Sequence, residues 1–230
     1  MTFSRFGNTC FTGRGYDRMK KAIALTLCFL ILIPLAACGS GGFSLGRFDG
    51  NEYHNDMLSL SFRLPASWHR ADAAEAESLL GMKRTVFDTY DEEALAAAEK
   101  DKAFDLGYAF VLSTEGGLDR FDLLYQKNTS NGDSASYIAS AREQLEKYGD
   151  LWEIRTVSNE TVTVAGHEYA ALEMILKNGD TVLRYYYLTT VAEGYFVTMI
   201  LTTSLTDYSF ESFLSSLNQS SARYYGLETD

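Results

Sequence analysis

The chain runs to 230 residues with 31 acidic and 20 basic side chains, a formal net charge of −11 that sets it against nucleic acid and anionic lipid headgroups, both of which select basic surfaces. All three cysteines fall within the first 38 residues, which excludes a fold stapled by several disulfides. With 46% hydrophobic residues, the chain has enough apolar surface for one core and one domain.

The N-terminal region carries the most specific motif. Lys20-Lys21 precede an uncharged, mostly apolar run of 16 residues from Ala22 to Ala37, which ends in Leu35-Ala36-Ala37-Cys38. A basic n-region, an apolar h-region and small residues at the cut site form a bacterial lipoprotein signal peptide over residues 1–37. Cys38, directly after the cut, becomes the acylated N-terminus. A retained membrane span wants about 20 apolar residues, and this run is shorter. Cys28 follows the bulky Leu27, and Cys10 precedes the apolar run, so neither has the context of Cys38. Met19 is a plausible true start, since Met19-Lys20-Lys21 makes a compact n-region. Two acyl chains, at about 0.8 kcal/mol per buried methylene, tether a protein stably where one chain holds only marginally. The expected location is therefore the extracytoplasmic face of a bacterial cell membrane, with the membrane itself as the first partner.

Removing residues 1–37 leaves 15 basic and 30 acidic side chains, a balance of −15, with Cys38 as the only cysteine. Residues 38–50, opening with Gly39-Ser40-Gly41-Gly42, read as a flexible spacer. A single domain is expected over 51–220, and 221–230 is an acidic tail.

Within the domain, Leu58, Leu60, Phe62 and Leu64 alternate along a first strand that Pro65 ends, with Trp68 expected to be buried beside it. Helices are predicted over 73–80, stopped by Gly81, and over 91–100, capped by Asp91. Residues 107–113 and 119–127 read as strands joined across Glu115-Gly116-Gly117. Ile138, Ala141, Leu145 and Tyr148 share one face of a helix over 134–148, capped by Asp133 or Ser134. Four strands follow near 153–164, 168–177, 181–191 and 195–203, broken at Ala165-Gly166, Asn178-Gly179 and Glu193-Gly194. Phe210, Phe213, Leu214 and Leu217 mark a last amphipathic helix. Successive hairpins imply a mainly antiparallel sheet covered by helices, an α+β sandwich. With Asn178-Gly179 as the central pair of a type I′ turn, Lys177 faces Asp180 and Glu173 lies directly opposite Arg184. On that register Leu172 and Met174 face Tyr185 and Leu183 on the row expected to turn in under a helix.

Tyr53-His54-Asn55 followed by Leu58-Ser59-Leu60-Ser61-Phe62-Arg63-Leu64-Pro65-Ala66-Ser67-Trp68 resembles the N…(L/Y)-S-F-x-x-P-x-x-W opening of PsbP/Mog1-like domains, which are common in bacterial surface lipoproteins. The resemblance covers most of residues 51–220. It implies an antiparallel sheet between helices and an accessory or binding role, and it transfers no catalytic residue.

Several motifs have plainer explanations than chemistry. Gly42-Phe43-Ser44-Leu45-Gly46 matches the nucleophile-elbow string but lacks the preceding strand that the elbow needs. His54, His69 and His167 have no metal-ligand spacing, and no metal or cofactor is expected. The acidic cluster Asp88–Glu93 lacks the central glycine of a calcium loop and suits a helix N-terminus. Asn128, Asn159 and Asn218 each open a glycosylation string, which a bacterial lipoprotein signal makes irrelevant. Tyr185, Tyr186, Tyr187 and Tyr195 are the candidate binding surface, for a protein or small ligand; alternation sends Tyr186 to the face opposite Tyr185 and Tyr187. The leading expectation is a non-enzymatic binding or accessory lipoprotein. Its rival is an extracytoplasmic hydrolase using dispersed carboxylates such as Glu173. A cleft with two or more carboxylates or histidines favours the enzyme, and one lined by aromatics favours binding.

Overall fold

The computed structural model describes residues 42–204, apart from Pro65, Thr89, Tyr90 and Leu118, together with Ser215. The chain divides into the units Met1–Ser40 and Gly41–Asp230, and all described residues belong to the second. The signal peptide, Met19, Cys38, the helix around Phe210 and the tail 221–230 lie outside the described residues.

Two antiparallel sheets form the domain. The smaller has the order β1 (Arg47–Asp49), β2 (Glu52–Asn55), β3 (Leu60–Arg63). The larger contains β4 (Trp68–Arg70), β5 (Leu106–Thr114), β6 (Arg120–Lys127), β7 (Glu153–Val164), β8 (His167–Asn178), β9 (Thr181–Ala192) and β10 (Tyr195–Thr203), in the order β4-β5-β6-β10-β9-β8-β7. Among the described residues three helices accompany them: α1 (Ala73–Leu80), α2 (Glu92–Asp101) and α3 (Ser134–Glu146). This is the expected α+β architecture, with the strands between 153 and 203 forming one antiparallel meander.

Local chemistry sets the element boundaries. The carboxylates of Asp72, Asp91 and Asp133 accept from backbone N–H groups in the first turns of α1, α2 and α3. Gly81, in the left-handed region, closes α1. In the meander, Ala165-Gly166 and Glu193-Gly194 both have positive φ at both positions, the pattern of type I′ hairpins, whose twist matches that of the flanking strands.

The sheet is buried on both faces. On one, Phe48, Tyr53 and Phe62 of the small sheet pack with Leu95 of α2 against Phe110, Phe121, Leu123, Tyr186, Val197 and Met199. This is an aromatic core, with Tyr53 edge-on to Phe110 at 4.9 Å and Phe62 near Phe121 at 5.6 Å. On the other face, Ala76 and Leu79 of α1 cover β5, β6 and β10, and Ile138 and Leu145 of α3 cover Leu172, Met174 and Leu176 of β8.

Three expectations need correction. First, residues 43–50 are no spacer. Phe43, Leu45 and Phe48 are buried in the aromatic core, and β1 pairs with β2. Asn55 donates to the Tyr125 hydroxyl (2.8 Å), Tyr125 donates to the Ser44 carbonyl (2.8 Å), and the Tyr53 hydroxyl donates to the Leu45 carbonyl (2.6 Å). Gly46 sits at φ +74 directly against the Tyr53 hydroxyl, where no Cβ fits. Glycine there is a packing requirement, whereas in the sequence it resembled linker.

Second, Trp68 is half-buried in the short edge strand β4, paired with Thr114, where only part of the indole reaches the core. Third, the β8–β9 turn is centred on Gly179-Asp180. Asn178 pairs with Thr181, and of the two turn residues only Gly179 has positive φ (+58), the φ pattern of a type II′ turn. Glu173 therefore lies opposite Tyr186, and Arg184 opposite Ile175. The two charges still pair, diagonally, with Arg184 Nη1 donating to Glu173 Oε1 at 3.2 Å. Leu172, Met174 and Leu176 remain on the α3 side, now opposite Tyr187, Tyr185 and Leu183.

Candidate functional site: a cleft over the central strands

A cleft of about 460 Å³ opens on the helix-covered face of the large sheet. Its floor is formed by Tyr108 of β5, Arg120, Asp122 and Leu124 of β6, Tyr187 of β9 and Ile200 of β10. Its walls are the end of α1 with the following Met82 and Arg84, and Tyr137, Ala141, Gln144 and Leu145 of α3, continued by Lys147 and Tyr148. The β6 alternation sends Phe121, Leu123 and Tyr125 to the aromatic core and Arg120, Asp122 and Leu124 to the helices. A β-bulge at Ala109 interrupts the alternation of β5, so that Tyr108 and Val111 both face the helices.

Asp122 is the unusual group. It is fully buried, and Arg120 Nε donates to its Oδ2 at 2.9 Å while Oδ1 has no hydrogen-bond partner among the described residues. Arg120 is held in turn by the carbonyl of Leu79, near the end of α1, to which its Nη1 donates at 2.7 Å. Burial pushes the Asp122 carboxyl up from 3.8 to about 7, and the Arg120 guanidinium opposes that rise only in part. Burial and the nearby Asp122 push the Tyr108 phenol up to about 12, and burial raises Tyr187 and Tyr137 as well. Tyr137 donates to Gln126 Oε1 at 3.1 Å.

The four tyrosines singled out in the sequence do not form one surface. Tyr185 and Tyr187 stack on the α3 side, 6.3 Å apart and 13° from parallel, and only Tyr187 lines the cleft. Tyr186 is fully buried in the aromatic core. Tyr195 is on that same face, its hydroxyl donating to the carbonyls of Lys102 (3.0 Å) and Phe104 (3.2 Å). Alternation divides Tyr186 from its neighbours as expected, and the odd-numbered position of Tyr195 in β10 places it with the core.

The other candidates have structural roles. Ser44 Oγ donates to Glu99 Oε1 (3.1 Å) and accepts from the Gly46 N–H (3.0 Å), so it braces a loop and activates nothing. His69 Nε2 lies 2.7 Å from Glu75 Oε1 and 3.4 Å from Ser113 Oγ, which itself donates to Glu75 at 3.2 Å. A relay needs the imidazole to join serine and carboxylate through its two different nitrogens. Here one nitrogen faces both. His167 Nε2 approaches Ser59 Oγ at 3.5 Å, and His54 is near Glu52 at 3.9 Å. Asp91 caps α2, while Asp88 pairs with Arg70 at 3.5 Å. Among the described residues no three His, Cys, Asp or Glu side chains gather as a metal site, and no helix is long and apolar enough to cross a membrane.

The residues that define the cleft carried a signal in the sequence. Arg120 and Asp122 are two apart on a strand whose intervening and following odd positions are Phe121 and Leu123. Two charges on one face of a strand mark a polar stripe, which becomes a floor only once α1 and α3 lie over that face.

No protein-family model and no curated protein sequence matches the chain. Among solved structures it is similar to cyanobacterial PsbP (CyanoP) from Synechocystis sp. PCC 6803, at 15% identity over 81% of this chain and 97% of that one, with a TM-score of 0.47. It is also similar to PA94 from Pseudomonas aeruginosa, a protein of unknown function, at 17% identity over 48% of this chain and 72% of that one, with a TM-score of 0.29.

Proposed function

We propose that this chain is a non-enzymatic bacterial lipoprotein, held on the extracytoplasmic face of the membrane by acylated Cys38, whose PsbP/Mog1-like domain binds a ligand in the cleft over β5, β6, β9 and β10. The anchor rests on the Leu35-Ala36-Ala37-Cys38 motif and its basic and apolar flanks. The observation that carries the binding role is the composition of the cleft. Four tyrosines and one carboxylate line it, without a histidine among the described residues, a composition that favours recognition over acid–base chemistry. Glu173, the carboxylate on which a hydrolase reading leaned, is buried on the opposite face and neutralised by Arg184. The test of the anchor is Cys38→Ala: the protein should leave the membrane fraction or accumulate as an unprocessed precursor. Normal processing and firm membrane retention of that variant would refute the lipoprotein reading.

A further inference from the structure

We propose that the cleft takes a small anion bearing hydroxyl groups, the chemistry shared by sugar acids and sugar phosphates. This deepens the binding role proposed above and rests on it. The chain is acidic overall, yet the cleft reverses that sign: Arg84, Arg120 and Lys147 line it against the single carboxylate of Asp122. Arg84 and Lys147 are exposed at the mouth and form no ion pair among the described residues, so their charge is available to a ligand. Arg120 is committed to Asp122 and to the Leu79 carbonyl.

A simple anion would satisfy the mouth and leave the floor unanswered. Asp122 Oδ1 is a buried acceptor without a donor among the described residues, a costly state that a ligand hydroxyl would relieve. The hydroxyls of Tyr108 and Tyr187 on the same floor make no hydrogen bond with any described residue, and each can donate to or accept from a hydroxylated ligand. An ammonium group suits the floor less well, because the Arg120 guanidinium already occupies the other carboxylate oxygen and two further cations stand above. The same argument disfavours a metal ion. A volume of about 460 Å³ lies in the range of small-molecule sites.

The experiment is calorimetric titration of the full chain, purified in detergent, with four probes: D-glucuronate, D-glucose 6-phosphate, D-glucose and D-glucosamine. At least one of the two anionic sugars should bind at least about tenfold more tightly than glucose, with glucosamine no tighter than glucose. Which anionic sugar binds better identifies carboxylate or phosphate as the preferred group. The double variant Arg84→Gln/Lys147→Gln, altered only at exposed positions, should bring the anionic sugars to within about threefold of glucose. Asp122→Asn, which replaces the open acceptor by an amide donor, should weaken both by about tenfold or more. Preference for glucosamine or glucose would overturn the inference while leaving the cleft a binding site. Failure of all four probes, or indifference of anionic-sugar binding to the mouth substitutions, would also overturn it. None of these outcomes bears on the Cys38→Ala fractionation, so failure of the ligand class and failure of the anchored-lipoprotein reading are told apart.

Discussion

Asp122 couples the cleft to the stability of the fold. Its carboxyl titrates at 3.8 when solvated and at about 7 in the folded protein, because burial penalises the charge more than Arg120 relieves it. Between those two values the folded state binds more protons than the unfolded one. The contribution of Asp122 is therefore fully present below pH 3.8 and is lost as pH rises through about 7. Arg120 on its own strand, Tyr108 on β5, Tyr187 on β9, Tyr137 and Lys147 on the α3 side and Arg84 beyond α1 line the same cleft. His167, whose burial lowers its pKa from 6.5, gives the opposite slope as pH falls. We predict that Asp122→Asn removes a decline in stability between pH 4 and 7 of up to about 1.4 kcal/mol per pH unit, measured as the difference between variant and wild-type denaturant curves. Identical pH profiles for the two proteins would show that Asp122 is ionised throughout. The strand that carries Asp122 was legible from its apolar alternation, but its importance was not. An Arg and an Asp on one strand face ordinarily point to water, and only the placement of α1 and α3 turns that face into a floor.

Helix ends and strand spans follow closely from sequence because side chains two to three residues away decide them. Asp72, Asp91 and Asp133 cap three helices, and paired positive-φ residues turn two hairpins. The β8–β9 register was not legible, for a physical reason. Asn178-Gly179-Asp180 offers two overlapping two-residue turns, and sliding from one to the other preserves which residues share a face. Hydrophobic alternation cannot choose between them, so Glu173 and Arg184 move from opposite to diagonal while the apolar row stays beneath α3. A substitution series distinguishes the turns. Gly179→Ala adds a methyl into open space at φ +58, so its cost is conformational, about 1–2 kcal/mol. Asn178, outside the turn centre, has negative φ, and Asn178→Ala should change stability by less than about 0.5 kcal/mol. Equal penalties at the two positions, read from denaturant midpoints, would restore the Asn-Gly turn.

The extent of the domain was the largest misjudgement available from sequence. Phe43, Leu45 and Phe48 are separated by serine and glycine, and β1 has only three residues, so neither periodicity nor length marks the segment as structured. Besides nearby Tyr53, its partners lie far along the chain, in Glu99 and Tyr125. Burying a large apolar side chain contributes about 1.5–3 kcal/mol, so three of them rival the 5–15 kcal/mol net stability of a typical domain. A chain beginning at Asn51 should therefore lose its cooperative thermal transition, whereas one beginning at Gly42 should keep it, as followed by near-ultraviolet circular dichroism. A sharp transition in the shorter chain would show that the small sheet holds without its first strand.

The burial of Phe43 also shortens the leash. In the acylated form proposed here, only Gly39, Ser40, Gly41 and Gly42 separate Cys38 from a side chain fixed in the core. Five extended steps of about 3.5 Å give a reach of about 17 Å, close to the radius of gyration of about 16 Å expected for a domain of this size. A domain anchored in that way would not stand off from the bilayer or sweep the surrounding space. On that proposal, a ligand would be met within roughly the domain's own width of the lipid surface, and any search for partners would be lateral diffusion in the plane of the membrane.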